Sequence, residues 1–337
     1  MTVLVVPRQG EVVVREDVPA DVHASWSLES GVLRTPHASG VVRGVRVNAP
    51  EALAQRWAAQ MRAGFVAADA ALLAGWNAGG ELPILGREAV DSRLRGNDES
   101  PVVPAEAGSH RFQHSGLYAI VDSVSRLRQV LGADIRLTQL RIKTPHDADA
   151  TWFASLRNQL RDGISVAKDA GATLYVNDHW QIAAELGADA VHLGQEDLGR
   201  FTEAQHAELA ASRMALGVSS HSVWELCRAR SLAAAYIACG PVWPTITKDM
   251  PWRPQGLDNL GWWAAHAGAP VVAIGGILEP EQVRLTARAG ASAVCLVRGL
   301  GDDPRQAVPA FQAAFDEGAA QRTPAPDWPH PSLEPRA

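Results

Sequence analysis

The chain has 337 residues, 47% of them hydrophobic and 20% charged, with a formal net charge of −6. That gives room for one large domain and a smaller one, with enough apolar residues for a sizeable core. The acidic balance and the lack of a dense Lys/Arg run argue against a nucleic-acid partner. No window approaches the ~18 uninterrupted apolar residues of a membrane span, and the N-terminus lacks the basic and apolar regions of a secretory signal. Cys227, Cys239 and Cys295 are scattered and form no CxxC or Cys/His spacing, so neither a disulfide framework nor a structural zinc site is expected. These features fit a cytoplasmic protein with small-molecule partners, no membrane and no nucleic acid; a homo-oligomer is left open.

Residues 1–90 form a region of uncertain fold. Met1–Val6 and Gly10–Glu16 carry short strand-like apolar runs, and Glu51–Ala78 reads as an Ala-rich helical stretch ending near Gly79-Gly80. Residues 91–115 show no sustained period and read as a linker. From Leu117 short apolar runs alternate with longer amphipathic stretches, the pattern of βα units. Strands are expected at Leu117–Val121, Ile135–Ile142, Thr173–Val176, Ala190–Leu193, Met214–Val218, Ala235–Cys239, Val271–Ile274 and Ala293–Val297. Eight strands in about 200 residues suggest an α/β fold closed as a compact (β/α)8 TIM barrel over residues 116–318, with a doubly wound sheet as the alternative. The Pro-rich tail, residues 319–337, is expected to be disordered.

Polar residues collect where these strands end. Gly240-Pro241 stops the sixth strand, and Thr245, Thr247 and Lys248 follow. Hydroxyl donors beside an ammonium suit a phosphate or diphosphate, although a surface turn could have the same composition. Lys143, Lys168 and Lys248 are the chain's only lysines, which hints that Lys248 serves as a compact point charge. Gln139, Arg141 and Lys143 alternate with apolar residues at the second strand end, so a period of two would put them on one face. Asp178 and Asp197 follow successive strands; they are either helix caps or joint ligands of a Mg²⁺ ion. Ser219 reads as a ligand-binding hydroxyl. Gly275-Gly276 and Val297-Arg298-Gly299 occupy the usual phosphate corner of such barrels.

The blocks QLRIK at 139–143, VND at 176–178, VHLGQED at 191–197, GVS at 217–219, GPVWPTITK at 240–248, PQGL at 254–257 and AIGGI at 273–277 together resemble the thiamine-phosphate synthase family. The resemblance implies a transferase that joins hydroxymethylpyrimidine diphosphate to a thiazole phosphate with Mg²⁺ as cofactor. It implies that Gln139, Arg141, Lys143, Asn177, Ser219 and Lys248 hold the pyrimidine diphosphate, with Lys248, Ser219 and Arg141 closest to the chemistry. It further implies Asp178 and Asp197 as metal ligands, Thr245 and Thr247 on the thiazole phosphate, and Gly276, Val297 and Arg298 at its phosphate end. One departure stands out: the family usually has Val-Ser where this chain has Val297-Arg298. Thiazole tautomerases share the fold and often carry a His like His221, so tautomerase activity is an alternative, as is a non-catalytic phosphate-binding barrel. Residues 65–75 weakly resemble a helix of hydroxymethylpyrimidine kinases, with Thr35–Gly40 as a decayed form of their anion loop. Residues 91–115 are similar to the translation of a dispersed bacterial DNA repeat. Every matched block lies after Leu117, so a chain starting near His114 is expected to keep the activity.

Overall fold

The structure is a computed structural model, and it describes residues 1–5, 11–18, 22–76, 80–88, 116–245 and 251–333. The 91–115 linker lies outside the described residues, as do Thr247 and Lys248.

The first region is an antiparallel six-stranded sheet with two helices. Its strands are β1 (Thr2–Val5), β2 (Val12–Arg15), β3 (Ala24–Ser27), β4 (Val32–Arg34), β5 (Ser39–Arg43) and β6 (Ile84–Gly86), in the order β2-β1-β3-β4-β5-β6. The two expected strands are thus a hairpin joined by four short ones that periodicity did not reveal. The stretch 35–38 is a turn between antiparallel strands, closed by Thr35, whose Oγ1 accepts from the Ala38 N–H at 2.9 Å; it is not a Gly-rich anion loop. The single helical stretch expected at Glu51–Ala78 is two helices, α1 (Pro50–Arg62) and α2 (Ala67–Gly75). They part at Gly64, whose φ of +96° suits glycine. All residues from Ala67 to Ala74 are buried, as expected of a helix that is apolar on every face except at Asp69. One side of α2 faces α1, and the other packs on a barrel helix.

The barrel closes in chain order. Its parallel strands are β7 (Gly116–Val121), β8 (Leu137–Leu140), β9 (Thr173–Asn177), β10 (Ala190–Leu193), β11 (Ala215–Ser220), β12 (Tyr236–Cys239), β13 (Val271–Ala273) and β14 (Ala293–Leu296). Between and after them run α3 (Val124–Gly132), α4 (Ala150–Asp169), α5 (Trp180–Glu185), α6 (Gln195–Arg200), α7 (Glu203–Ala211), α8 (Val223–Arg230), α9 (Gly256–His266), α10 (Pro280–Arg288) and α11 (Pro304–Ala320). All eight expected strands are present, and closure excludes the doubly wound sheet. Local rules set the helix starts: Ser123, Asp149 and Ser222 each accept a backbone N–H three residues on.

Side chains fill the barrel interior. Tyr118, Tyr175 and Tyr236 meet there with Leu137, Val272 and Cys295. Gly217 is required by this packing, because a Cβ at that position would lie 2.4 Å from the Tyr236 ring. The free cysteines Cys227, Cys239 and Cys295 are all buried. Among the described residues no helix is long and apolar enough to cross a membrane.

The expectation of a disordered tail from residue 319 does not hold for residues 319–333. Helix α11 runs to Ala320, and the following segment lies against α9 and α1. The His330 N–H donates to Asn259 Oδ1 at 2.8 Å, Ser332 Oγ to Gln255 Oε1 at 3.1 Å and Trp328 Nε1 to Gln60 Oε1 at 3.2 Å. Trp328, Ser332 and Leu333 supply anchors, while the prolines limit the entropy lost in laying down an extended strap.

Candidate active site

The strand ends open into one cavity of about 290 Å³. It brings together Gln139, Arg141, Asn177, Asp178, Asp197, Ser219, Thr245, Gly276, Val297 and Arg298, residues spread over 160 positions and most of the strand ends. Lys143 does not join them. β8 ends at Leu140, so the period-two alternation stops before Lys143, which is exposed and lies off the cavity lining. The expectation that Gln139, Arg141 and Lys143 share one face therefore holds only for the first two.

Asp178 is not a helix cap. The N-cap position of α5 is His179, and Asp178 takes a left-handed φ of +63°, an uncommon conformation for a residue with a Cβ. Its N–H donates to the His192 carbonyl at 3.1 Å, which pins the turn and leaves the carboxyl at the cavity. Burial raises that carboxyl above its ordinary value, and the charge of Asp197 raises it further, while the Arg141 guanidinium opposes both. Asp197 lies in the first turn of α6, where the helix dipole favours a negative charge. Two repelling carboxylates that share a cavity with Arg141 form a hard-oxygen donor pair, the kind Mg²⁺ uses beside phosphate oxygens. Among the described residues no cluster of three or more His, Cys, Asp or Glu could enclose a metal. A cation held there would need ligands from substrate or water as well.

The floor carries a hydrogen-bonded chain that the sequence reading missed. Gln139 Nε2 donates to the Tyr118 hydroxyl at 3.0 Å, Tyr118 and Tyr236 hydroxyls lie 2.9 Å apart, and Tyr236 meets His192 Nδ1 at 2.7 Å. His192 Nε2 in turn lies 3.0 Å from Ser219 Oγ. Burial first, then the charges of Arg141 and His221, push His192 down to about 3, so its imidazole is neutral and carries one ring proton. A neutral ring donates from only one of its two nitrogens, so the Tyr236 hydroxyl and Ser219 meet it in opposite roles, one as donor and the other as acceptor. A signal existed: Ala190 and His192 alternate with Val191 and Leu193, and Ala190 belongs to the inner cluster, so His192 faces the barrel interior as well.

A second wall comes from the β11–α8 corner. The His221 N–H donates to Glu225 Oε2 at 2.6 Å, and its Nδ1 lies 2.8 Å from the same oxygen. The His221 ring stacks on Trp252 at 5.2 Å and 12°. Ser220 points the other way, accepting from Trp263 Nε1 at 3.1 Å, as alternation along β11 requires. Gly275 and Gly276 have φ of +93° and +72°, and a Cβ on either would come within 2.6 Å of Pro241 or Trp243. Glycine is what lets the loop after β12 lie this close to the loop after β13. Val297 and Arg298 are exposed at the rim, where Arg298 opens a 3-10 turn, Arg298–Leu300.

A family model described as thiamine monophosphate synthase matches residues 117–300. The chain belongs to that family. A thiamine-phosphate synthase of Neisseria meningitidis serogroup A is 39% identical over 202 residues, which cover 59% of this chain and 94% of the relative. One from Rhizobium etli is 39% identical over 191 residues, 56% of this chain and 87% of the relative. Among solved structures, a thiamine phosphate pyrophosphorylase from Pyrococcus furiosus superposes with a TM-score of 0.51 at 26% identity, covering 60% of this chain and 96% of that one. The match to the thiamine monophosphate synthase family begins at the barrel and leaves residues 1–116 outside it.

Proposed function

We propose that the barrel condenses hydroxymethylpyrimidine diphosphate with a thiazole phosphate, giving thiamine phosphate and diphosphate. The observation that carries this is the convergence of Arg141, Asn177, Ser219, Asp178 and Asp197 on one cavity in a member of the thiamine monophosphate synthase family. In the reaction the methylene carbon–oxygen bond breaks, and its electron pair leaves on the diphosphate. The lone pair of the thiazole nitrogen then forms the new carbon–nitrogen bond. Arg141, the Asn177 amide and the Ser219 hydroxyl would stabilise charge growing on the leaving oxygens. Asp178 and Asp197 would hold Mg²⁺, which supplies further positive charge to the diphosphate when bound. Gln139 and the tyrosine floor would seat the flat pyrimidine. Thr245, Thr247 and Lys248 would supply hydroxyls and an ammonium to the phosphates. Gly276, Val297 and Arg298 would meet the thiazole phosphate, with the Arg298 guanidinium replacing a hydroxyl by a charge. Lys143 would act only if its loop closes on the substrate. The three buried free cysteines suit a reducing compartment, and we assign the enzyme to the cytoplasm.

No nucleophile is required, because orientation and charge carry the step. The test is to mix both substrates with Mg²⁺ and follow thiamine phosphate and diphosphate together. Equimolar appearance of the two products supports the reading, and diphosphate without thiamine phosphate contradicts it. The His221–Glu225 pair favours a second reading, proton transfer on a thiazole by a tautomerase. That activity would proceed without the pyrimidine substrate and without diphosphate release.

A further inference from the structure

Asp69 belongs to α2, outside the barrel, and is only 1% exposed. Its Oδ1 accepts the Trp224 N–H at 2.8 Å, and the Val223 N–H also favours its charged form. These are the first two residues of α8, whose early N–H groups have no partner within the helix. Ser222 accepts the third, from Glu225, at 3.3 Å. With those donors taken, the Glu225 carboxylate turns back past the helix start and grips His221 through both its backbone N–H and its ring. His221 and Trp252, stacked together, line the cavity.

We propose that Asp69 is a positioning residue for the active site: by occupying the first N–H groups of α8 it keeps Glu225 on His221 and so fixes one wall of the cavity. Without Asp69, two buried N–H donors lose their acceptor. The nearest carboxylate able to satisfy them is that of Glu225, three residues into the same helix. Its loss from His221 would free the imidazole and the Trp252 ring stacked on it. When Asp69 is ionised, its charge works in the same direction, since it and Glu225 repel each other. The C-terminal strap supports the same wall from its other side, where Gln255 Nε2 donates to the His221 carbonyl at 2.8 Å and Ser332 holds Gln255. A region foreign to the family match thus reaches the family's cavity through one buried carboxylate.

The experiment is a double-mutant cycle in the full chain: Asp69→Ala, His221→Ala and the pair. It rests on the synthase reading for its kinetic arm, with activity normalised to the folded fraction. Asp69→Ala is expected to lower kcat/KM about tenfold when His221 is present and less than about twofold when it is absent. Equal losses in both backgrounds would overturn the proposal, since a structural role alone acts alike in each. Amide exchange supplies an arm that needs no substrate. In Asp69→Ala the His221 N–H is expected to exchange about tenfold faster while the last turn of α8 keeps its protection. Unchanged His221 exchange would overturn the proposal even if the chain shows no synthase activity. Should Asp69→Ala fail to fold, Asp69→Asn replaces it in both arms. It keeps the shape and an acceptor oxygen, loses the charge and is expected to give about a threefold change through the same coupling.

Discussion

On the side of β8, β9 and β10 the cavity wall is held by the barrel itself: Arg141 N–H bonds the Val121 carbonyl, Asp178 N–H bonds the His192 carbonyl, and His192 ties Ser219 to the floor. On the side of α8 and α9 the wall is held largely from outside, by Asp69 through Glu225 and by the C-terminal strap through Gln255. Arg141, Asp178 and Asp197 sit on the first side, and the stacked rings of His221 and Trp252 sit on the second. The difference separates two kinds of damage. Substitutions on the first side should abolish chemistry and spare the fold, whereas loss of the flanking segments should weaken fold and cavity together.

The largest effects are expected on the charged side. Arg141→Ala and Asp178→Ala should each lower kcat/KM by about a hundredfold or more, the scale of removing one charge-stabilising group from a transition state. Thermal unfolding should move little, because both side chains reach solvent at the cavity. Steady-state diphosphate release over a Mg²⁺ titration should show the Asp178 variant needing more metal. Wild-type turnover in either variant would dissolve the distinction between the two sides.

Next in size is removal of residues 1–115. The sequence leads one to expect a functional barrel from a start near His114, because every matched block lies later. The contacts between the flanks and the barrel give a reason to expect a loss instead. α2 covers α8, Trp76 packs edge-on against Trp262 at 5.6 Å, and Trp328 touches both Trp76 and Gln60. Uncovering these faces should lower Tm by on the order of 10 °C or more and reduce activity with it. An unchanged melt would show that the flanks are passengers.

The barrel was legible because each βα unit repeats the same signals: an apolar run, then a turn, then a capped helix. Ala190–Leu193 was read to the residue. β8 was read too long because alternation in the sequence continues through Ile142 after the backbone has left the sheet at Leu140. The first region was opaque for the opposite reason. Strands such as Val32–Arg34 and Ser39–Arg43 follow one another as antiparallel neighbours with no helix between them, so no repeating βα unit marks them out. The site residues legible in the sequence were those at strand ends. His192 was overlooked because its chemistry depends on Tyr236, 44 residues away, and Asp69 because its partner lies 155 residues on.

Three smaller effects sharpen the comparison. Burial, with the charge of Glu225 adding to it, pushes the Asp69 carboxyl from its usual 3.8 up to about 7, against the pull of the Trp224 and Val223 N–H groups; Cys227 is a further titratable neighbour. A carboxyl raised on folding contributes stability below its unfolded value and loses it as pH rises through its folded value. Stability should therefore fall between about pH 4 and pH 7, by up to about 4 kcal/mol from this group. Asp69→Asn should flatten that slope in denaturant titrations, and an unaltered slope would remove Asp69 as its source. Within the barrel, Gly217→Ala should cost about 1–3 kcal/mol because its Cβ meets the Tyr236 ring. The smallest change is expected at Arg157–Glu185, an exposed ion pair at 2.6 Å, where Glu185→Gln should shift stability by no more than about 0.5 kcal/mol.

The most direct measurement is a crystal structure of the full chain with Mg²⁺, thiamine phosphate and diphosphate. The account predicts diphosphate against Arg141, Asn177 and Ser219, with the metal between it and the carboxylates of Asp178 and Asp197. Diphosphate bound elsewhere, or a metal that touches neither aspartate, would contradict it.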